Sequence, residues 1–352
     1  MRVEECGTCC WVVDGYVFDF SKVLSSVEKP PKTIVLEAPQ GLVKYLELVS
    51  SLLEKCFPHS EITYRLEPAF GLCSISLELG TDGVVVVHIG HEDYPYPLCS
   101  FGSCTRKLPE GVFTVTAEYI GGDAERISGA IASALSQTGG TKVAIGFSVQ
   151  HKKLADVIVR RLSSLGFDVK ASVPITGCWY APLLKLRSAV DSFVVIAGGY
   201  FHAVGLGLAL AGGSTVYRAD PYTNSVESVN EKVARILSKR LWKVKQAMEF
   251  GPGKVAVISG LMPGQSRPGV VSFLKRLGEK SGYKVRIILS RYMQREFLDN
   301  LSPGEYKFFV VASCPRIAVE DLDDYWKPVL TPGEARMVFE KTLDLSHYKF
   351  PW

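Results

Sequence analysis

The stretch Lys142-Val-Ala-Ile-Gly-Phe147 is a short apolar run of the kind that forms a buried strand, and the chain contains three versions of it. The other two are Thr33-Ile-Val-Leu-Glu-Ala38 and Lys254-Val-Ala-Val-Ile-Ser259. The three runs begin 109 and 112 positions apart. A repeat at this spacing predicts three units built on one plan.

Each run is followed by the pattern of an amphipathic helix and then by two further strand-like runs. The expected apolar stripes of the helices are Leu42, Leu46, Val49 and Leu53; Leu154, Val157, Ile158 and Leu162; and Val270, Phe273, Leu274 and Leu277. The later strand-like runs are Glu61–Leu66, Asp168–Val173 and Lys284–Ser290, then Gly83–His88, Phe193–Ala197 and Phe308–Ala312. Strands that alternate with helices in this way predict parallel sheets covered on both faces.

The expected fold class is α/β, with three related units at 1–138, 139–251 and 252–352. The boundaries fall in two glycine-containing stretches typical of linkers, 136–140 and 250–253. Three like units can pack around a pseudo-threefold centre, and open α/β sheets bind ligands at the carboxyl ends of their strands. We therefore expect the loops after the strands to converge on one shared site.

The composition of the 352-residue chain is that of a globular protein. Hydrophobic residues make up 47% and charged residues 22%, which excludes disorder as the main state. The net charge of +4 is mild, so a charge-driven nucleic-acid role is not expected. The uncharged stretch 193–213 is long enough for a membrane span. Because Gly198-Gly199 and His202 interrupt it, we expect a strand, a glycine turn and a packed helix there.

The first residues, 1–6, lack the basic and apolar stretches of a signal peptide, which predicts a soluble, cytoplasmic protein. Thiols in that compartment are expected to be reduced and available to metals. The nine cysteines are an odd number, so a complete set of intramolecular disulfides is excluded.

Three cysteines fall in loops that follow strands, one in each expected unit. Cys73 and Cys178 each follow a second strand and lie 105 positions apart, close to the repeat spacing. Cys314 follows a third strand, at the position that His202 occupies one repeat earlier. Any one of them alone would be interpreted as a small buried apolar side chain. Together they predict a shared metal, either zinc in a four-ligand site or a [4Fe-4S] cluster with one iron open to a substrate.

Several motifs resemble those of the diphthamide-synthesis family, whose archaeal enzyme transfers a 3-amino-3-carboxypropyl group to a histidine of translation elongation factor 2. The resemblance extends from about Phe18 to the end of the sequence. It is carried by Glu37-Ala-Pro-Gln-Gly-Leu42, Val87-His-Ile-Gly-His91, Gln150-His151, Gly198-Gly-Tyr-Phe-His-Ala-Val-Gly205, Asp220-Pro-Tyr-Thr223, Ser313-Cys-Pro-Arg-Ile317 and Lys327-Pro-Val-Leu-Thr-Pro332.

The resemblance implies that Cys73, Cys178 and Cys314 hold a [4Fe-4S] cluster between three related α/β domains. It also implies that the cluster binds S-adenosylmethionine at its open iron and donates an electron. Methylthioadenosine is then released, and a 3-amino-3-carboxypropyl radical adds to the target imidazole. The Cys-x-x-x-Cys-x-x-Cys run of the usual radical enzymes is absent. The implied partners are elongation factor 2, an electron donor and a second copy of the chain in a homodimer.

Two residues of one loop, Gln265 and Arg267, are candidates for binding the co-substrate. The loop lies between the first strand and the first helix of the third unit, so its backbone amides and these two side chains could hold a carboxylate such as the methionyl end of S-adenosylmethionine. A solvated turn is the alternative. The glycine-lysine ending of a phosphate-binding loop is missing.

Four further candidates are Gly199, Phe201, His202 and Arg316. The glycine permits close backbone approach beside the aromatic and histidine side chains, although a packing turn would have the same pattern. Arg316 could offset the negative charge of a thiolate-bound cluster, or could be an ordinary surface arginine. His91 and His151 are expected to be hydrogen-bonded structural residues rather than iron ligands.

The chain departs from the family pattern at two places. The family often has an acidic residue directly after the first cysteine, where this chain has Ser74, so no carboxylate role is assigned there. Five cysteines have no counterpart, namely Cys6, Cys9, Cys10, Cys99 and Cys104. Cys6 with Cys9, and Cys99 with Cys104, have the spacings of structural zinc sites. Unrelated loop thiols are the preferred interpretation, and disulfides are the alternative in a heat-adapted cell.

Two other classes of function share parts of this pattern. Quinolinate synthase resembles the plan of three α/β repeats with a three-cysteine cluster that acts as a Lewis acid. The segments 220–223 and 313–316 indicate against it. The other alternative is a non-catalytic paralogue that serves as an electron-transfer or scaffolding subunit. The presence of all three cysteines indicates against loss of the cluster.

Overall fold

Three sheets of parallel strands form the framework of the protein in the computed structural model, which describes residues 2–67, 69–92, 95–100 and 103–352. In spatial order, the first sheet contains Glu61–Tyr64, Thr33–Glu37, Val84–Ile89 and Val112–Val115. The second contains Asp168–Pro174, Lys142–Phe147, Ser192–Ile196, Thr215–Asp220 and, antiparallel at its edge, Ser225–Ser228. The third contains Lys284–Ser290, Lys254–Gly260, Phe309–Ala312 and Val329–Leu330.

The nine strand-like runs of the sequence are all strands, and each of the three quoted first runs lies between its second and third strands. Their apolar side chains are buried because helices cover both faces of such sheets. The expectation of a mixed α/β fold with parallel sheets is confirmed. The three unit boundaries stay a prediction.

The helices alternate with the strands as the periodicity predicts. They are Ser21–Ser26, Gln40–Val43, Leu46–Leu53, Ala124–Gln137, Lys152–Ser164, Ala181–Leu184, Phe201–Ala209, Asn230–Glu249, Pro268–Lys280, Arg295–Asp299 and Pro332–Glu340. Short helical turns lie at Leu72–Ser74, Leu77–Leu79, Val149–His151, Pro303–Glu305, Ile317–Asp321 and Leu345–His347. The long uncharged stretch forms a buried strand, a turn and the helix Phe201–Ala209, as expected. Among the described residues, no helix combines the length and the apolar character needed to cross a membrane.

The predicted apolar stripe of the helix Pro268–Lys280 is wrong at Phe273, which does not face the sheet. The buried side chains are Val271 and Leu274, whereas Phe273 is 41% exposed. The reason is a close approach at Gly278, where a Cβ atom would lie only 2.7 Å from Val285 and 3.0 Å from Phe339. The helix therefore turns its glycine toward the sheet, which a pattern of apolar residues does not reveal.

An antiparallel sheet near the start of the chain was not predicted. It consists of Val3–Gly7, Cys10–Val13, Tyr16–Asp19 and Glu118–Tyr119. Its side chains Trp11 and Phe18 pack into the core cluster of the first sheet. The sheet is therefore an extension of the first α/β layer.

Six cysteines are joined in disulfides, which corrects the expectation that the thiols are reduced. The pairs are Cys6–Cys10, Cys9–Cys56 and Cys99–Cys104. The suggested pairing of Cys6 with Cys9 in a zinc site is wrong, because each is bonded to another partner. For these cysteines the disulfide alternative is the correct one. Cys73, Cys178 and Cys314 form no disulfide.

A buried ion pair connects the second sheet's long helix Asn230–Glu249 to the third sheet. The guanidinium of Arg240 donates to both carboxylate oxygens of Glu334, at 2.9 and 2.5 Å, and to the carbonyl oxygens of Ala318 and Val329. Glu334 also completes a capping box with Thr331. The segment 327–332, which was quoted among the family motifs, therefore contributes a joint between the second and third sheets.

Candidate functional site

The three parallel sheets have the same strand order, so each has a point at which neighbouring strands are followed by connections on opposite sides. That point lies after the first and third strands of each unit. The loops there begin at Ala38 and Gly90 in the first sheet, at Ser148 and Ala197 in the second, and at Leu261 and Ser313 in the third. Open α/β sheets bind ligands in this crevice. Most of the residues selected from the sequence lie in or beside these loops.

The three cysteines outside the disulfides influence one another electrostatically. Burial and the neighbouring Cys178 raise the pKa of the Cys73 thiol to about 12. Burial, Cys73 and Cys178 raise the pKa of Cys314, and a hydrogen bond from the backbone of Arg316 opposes this rise. Each cysteine is partly exposed. Three thiols from three sheets are therefore close enough to repel one another's negative charge.

The loop of Cys73 is shaped by its neighbours. Gly71 has a φ of +149°, and a Cβ atom there would lie 3.8 Å from Sγ of Cys73. The hydroxyl of Ser74 accepts from the backbone N–H of Phe70 at 2.8 Å and donates to the carbonyl oxygen of Gly71 at 3.1 Å. The hydroxyl of Ser74 therefore closes the cysteine loop on itself. Nε2 of Gln265 lies 3.8 Å from the sulfur.

The loop of Cys178 depends on a glycine. Oγ1 of Thr176 lies 3.6 Å from Sγ of Cys178, and the hydroxyl of Tyr96 donates to the Cys178 carbonyl oxygen at 2.8 Å. A Cβ atom at Gly177 would overlap the ring of Phe201. Only glycine therefore lets the ring of Phe201 lie directly against the cysteine loop.

The candidate co-substrate residues divide into two groups. Arg267 is stacked between the rings of Tyr96 and Trp352, 4.0 and 4.1 Å from their centroids, and with Gln265 it lies on the side of Cys73. Phe201 lies beside His202, and its ring centroid is 5.5 Å from the guanidinium of Arg316.

Two of these candidates, Arg316 and Gly199, lie on the surface of the protein. Arg316 is exposed and paired with Glu320 at 2.6 Å. Gly199 is exposed, with a φ of +68° and open space around a built Cβ atom, so its backbone conformation alone requires glycine. The roles of all six residues stay predictions.

The sequence did not reveal a chain of buried side chains beside Cys73. Nδ1 of His88 lies 2.8 Å from Oε1 of Glu37, and Nε2 of His88 lies 3.0 Å from Nδ1 of His91. Ser76 donates to the other oxygen of Glu37 at 2.6 Å. Glu37 and His88 belong to motifs quoted above, but only strand pairing places them side by side.

Three histidines near the site, His91, His151 and His202, have pKa values well below the ordinary value of histidine. Burial, with a smaller effect of His88, lowers the pKa of His91 to about 3, and burial lowers the pKa of His151 to about 4. Burial and Arg316 lower the pKa of His202 to about 4. His91 is hydrogen-bonded, as expected. The expectation is wrong for Nδ1 of His151, which has no hydrogen-bond partner among the described residues.

The chemistry of the donor set fits a cluster better than a single ion. In the described part of the chain, no three His, Cys, Asp or Glu side chains surround one point closely enough to hold a metal ion. A [4Fe-4S] cluster binds each thiolate through a different iron, so its ligands need not converge on one atom. Three cysteines that form no disulfide, one from the loops of each parallel sheet, match that requirement.

These features define the class: an α/β protein with three parallel sheets and one cysteine outside the disulfides in the loops of each sheet. The family model for diphthamide synthesis proteins matches residues 38–349. The chain therefore belongs to that family, and the resemblance of its motifs is confirmed.

Individual relatives agree with this assignment. The chain is 26% identical to the 2-(3-amino-3-carboxypropyl)histidine synthase of Pyrococcus horikoshii, covering 90% of this chain and 89% of the relative. The enzyme of the same name from Methanocaldococcus jannaschii is 24% identical, with coverages of 93% and 89%. Both relatives are named as enzymes that form 2-(3-amino-3-carboxypropyl)histidine. The prediction that the chain is a transferase is confirmed.

A solved structure supports the fold. The crystal structure of Dph2 from Pyrococcus horikoshii with a 4Fe-4S cluster superposes with a TM-score of 0.75 at 24% identity, covering 95% of this chain and 93% of that chain.

Proposed function

We propose that the chain is an iron–sulfur enzyme that transfers the 3-amino-3-carboxypropyl group of S-adenosylmethionine to a histidine of translation elongation factor 2, the first step of diphthamide synthesis. The observation that supports it most directly is the set of three cysteines outside the disulfides. Cys73, Cys178 and Cys314 lie in loops that follow strands and raise one another's pKa, while the other six cysteines are in disulfides.

In this proposal the three thiolates bind a [4Fe-4S] cluster. When bound, the cluster supplies an open iron and the electron that breaks the bond from sulfur to the side-chain carbon of S-adenosylmethionine, so that methylthioadenosine and the transferable radical form. The protein's own side chains bind and orient the co-substrate. Gln265 and Arg267 lie on the Cys73 side, where they can hold its carboxylate. Phe201 covers the Cys178 side and limits access of water.

The proposal includes an arrangement and a setting. We infer three related units, at 1–138, 139–251 and 252–352, around a pseudo-threefold centre. We also infer that the protein is a cytoplasmic homodimer and that an electron donor reduces its cluster. The equal strand orders of the three parallel sheets and the mutual repulsion of the three thiols support this arrangement.

The test is anaerobic. The protein is reconstituted with iron and sulfide, reduced with dithionite and given S-adenosylmethionine, and the released nucleoside is identified by mass spectrometry. Methylthioadenosine is the expected product. Release of 5′-deoxyadenosine, or no cleavage by protein with a full cluster, would contradict the transferase and favour a Lewis-acid or scaffolding role.

The target is tested in a second reaction. Elongation factor 2 is added with S-adenosylmethionine that carries label in the aminocarboxypropyl carbons, and the label is expected on one histidine. A version of the factor with that histidine replaced is the matched control. Methylthioadenosine release without labelling would remove elongation factor 2 as the substrate.

A further inference from the structure

The hydrogen-bonded side chains of Glu37, His88 and His91 form a row that ends near Cys73. Both Glu37 and the His88 side chain are fully buried, and Glu37 also interacts with Arg65 and Ser76. Glu37 already accepts from the guanidinium of Arg65 and the hydroxyl of Ser76, so we assign the hydrogen between Glu37 and His88 to Nδ1 of His88. With its hydrogen on Nδ1, His88 offers Nε2 as an acceptor to Nδ1–H of His91.

This order of hydrogens determines what His91 offers to a ligand. With its Nδ1 donating to His88, neutral His91 keeps an acceptor lone pair on Nε2. In the described part of the chain, no group hydrogen-bonds to that nitrogen. A Cβ atom built on Gly71 would lie 3.7 Å from it and 3.8 Å from Sγ of Cys73. The glycine therefore leaves open the space that separates His91 from the cysteine.

A loop of the third sheet offers donors to the same cysteine. The amide of Gln265 points at the sulfur, and Arg267 donates to the carbonyl oxygen of Gly264 in the same loop. A molecule lying against Cys73 would thus meet a hydrogen-bond acceptor from the first sheet and donors from this loop. The amino-acid end of S-adenosylmethionine has the complementary pair, an ammonium and a carboxylate on one carbon.

We propose that Nε2 of His91 accepts a hydrogen bond from the α-ammonium group of S-adenosylmethionine, and that Glu37, acting through His88, is the positioning residue that keeps this nitrogen an acceptor. The proposal rests on the proposed function. In this arrangement the ammonium group binds to the first sheet, through His91, and the carboxylate binds to the loop of Gln265.

The test compares two ligands that differ by one amino group. S-adenosylhomocysteine and 5′-S-(3-carboxypropyl)-5′-thioadenosine, which lacks the amine, are titrated by calorimetry into anaerobic, cluster-loaded protein. For His91→Leu we expect the affinity for S-adenosylhomocysteine to fall by about 10- to 100-fold, the worth of one charge-assisted hydrogen bond, with little change for the amine-free ligand. His91→Gln, whose amide oxygen can accept in the same place, should recover part of the loss. Equal weakening for both ligands, or none, would overturn the proposal.

The role of Glu37 has a spectroscopic readout. In protein labelled with ¹⁵N-histidine, Nε2 of His91 should be unprotonated, and in Glu37→Met it should gain a hydrogen because methionine gives Nδ1–H of His88 no oxygen acceptor. An unchanged Nε2 signal in Glu37→Met would contradict the positioning role. His59→Gln, at an exposed histidine, is the matched control and should change neither binding nor this signal. If unaltered protein with full iron binds neither ligand, the proposed function fails rather than the role of His91.

Discussion

The backbone N–H of Gly264 donates a 2.9 Å hydrogen bond to the carbonyl oxygen of Cys73, and so joins a loop of the third sheet to the cysteine loop of the first. The next side chain, Gln265, has its amide nitrogen 3.8 Å from the cysteine sulfur. A backbone hydrogen bond from a loop of the third sheet therefore fixes the position of Cys73, a candidate cluster ligand in the first sheet. The geometry of the site therefore depends on how the sheets pack against one another.

Each of Cys73→Ala, Cys178→Ala and Cys314→Ala should lose most of the iron of the reconstituted protein, because a cluster held by three thiolates loses one of its bonds. Iron content and the visible absorption of anaerobic samples measure this. The matched control is the double variant Cys99→Ala with Cys104→Ala, which removes a disulfide and should keep its iron. Full iron in any single variant would remove that cysteine from the site.

Gly177→Ala should weaken the binding of S-adenosylmethionine and lower the free energy of unfolding by about 1–3 kcal/mol, since the new methyl group overlaps the ring of Phe201. Urea unfolding and calorimetry test both effects. Adding Phe201→Ala should recover stability by making room, and no recovery would contradict the overlap. Gly129→Ala, in a helix with open space at that position, is the control and should stabilise by about 0.5–1 kcal/mol.

Arg240→Met should lower the free energy of unfolding by about 3–5 kcal/mol, because Glu334 would stay buried without its partner. Urea unfolding is the measurement. Combining Arg240→Met with Glu334→Gln should cost less than the sum of the single changes, and strict additivity would contradict a coupled pair. Arg336→Ala removes an exposed pair with Glu340 and should cost no more than about 0.5 kcal/mol.

The disulfides should contribute unequally to stability. Cys9–Cys56 closes 47 residues and should stabilise by about 4 kcal/mol, against about 2 kcal/mol for Cys6–Cys10, which closes 4. The double variants Cys9→Ala with Cys56→Ala and Cys6→Ala with Cys10→Ala are compared in urea without reductant. Equal losses would contradict the loop-entropy explanation, and a thiol count of nine in untreated protein would contradict the bonds themselves.

The buried, neutral His151 should make the protein less stable in acid. Its pKa is about 4 when folded and ordinarily about 6.5, so between these values the unfolded chain binds a proton that the folded protein does not. Stability should therefore fall as the pH falls below about 6.5, with a share of about 2 kcal/mol from this residue by pH 5. Urea unfolding from pH 7 to pH 5 should show a shallower fall for His151→Gln. An unchanged slope in that variant would contradict the assignment.

The sheets could be predicted because their signal is local. A buried parallel strand appears in the sequence as a short run of consecutive apolar residues, and the runs beginning at Thr33, Lys142 and Lys254 contain three to five of them. The position of Phe273 could not be predicted, because the orientation of its helix depends on the contact of Gly278 with Phe339. The N-terminal sheet was missed because its strands of four or five residues are completed by Glu118–Tyr119, about a hundred positions later.

The amino-acid sequence by itself determined the fold class, the family motifs and the three cysteines, because apolar runs, glycine turns and repeat spacing are properties of neighbouring residues. Only the tertiary structure decided which thiols are bonded, that Cys56 pairs with Cys9, and that Glu37, His88 and His91 form one chain beside Cys73. These relationships join residues that are close in space through strand pairing and sheet packing. Their energies depend on distance and burial, which the order of residues does not contain.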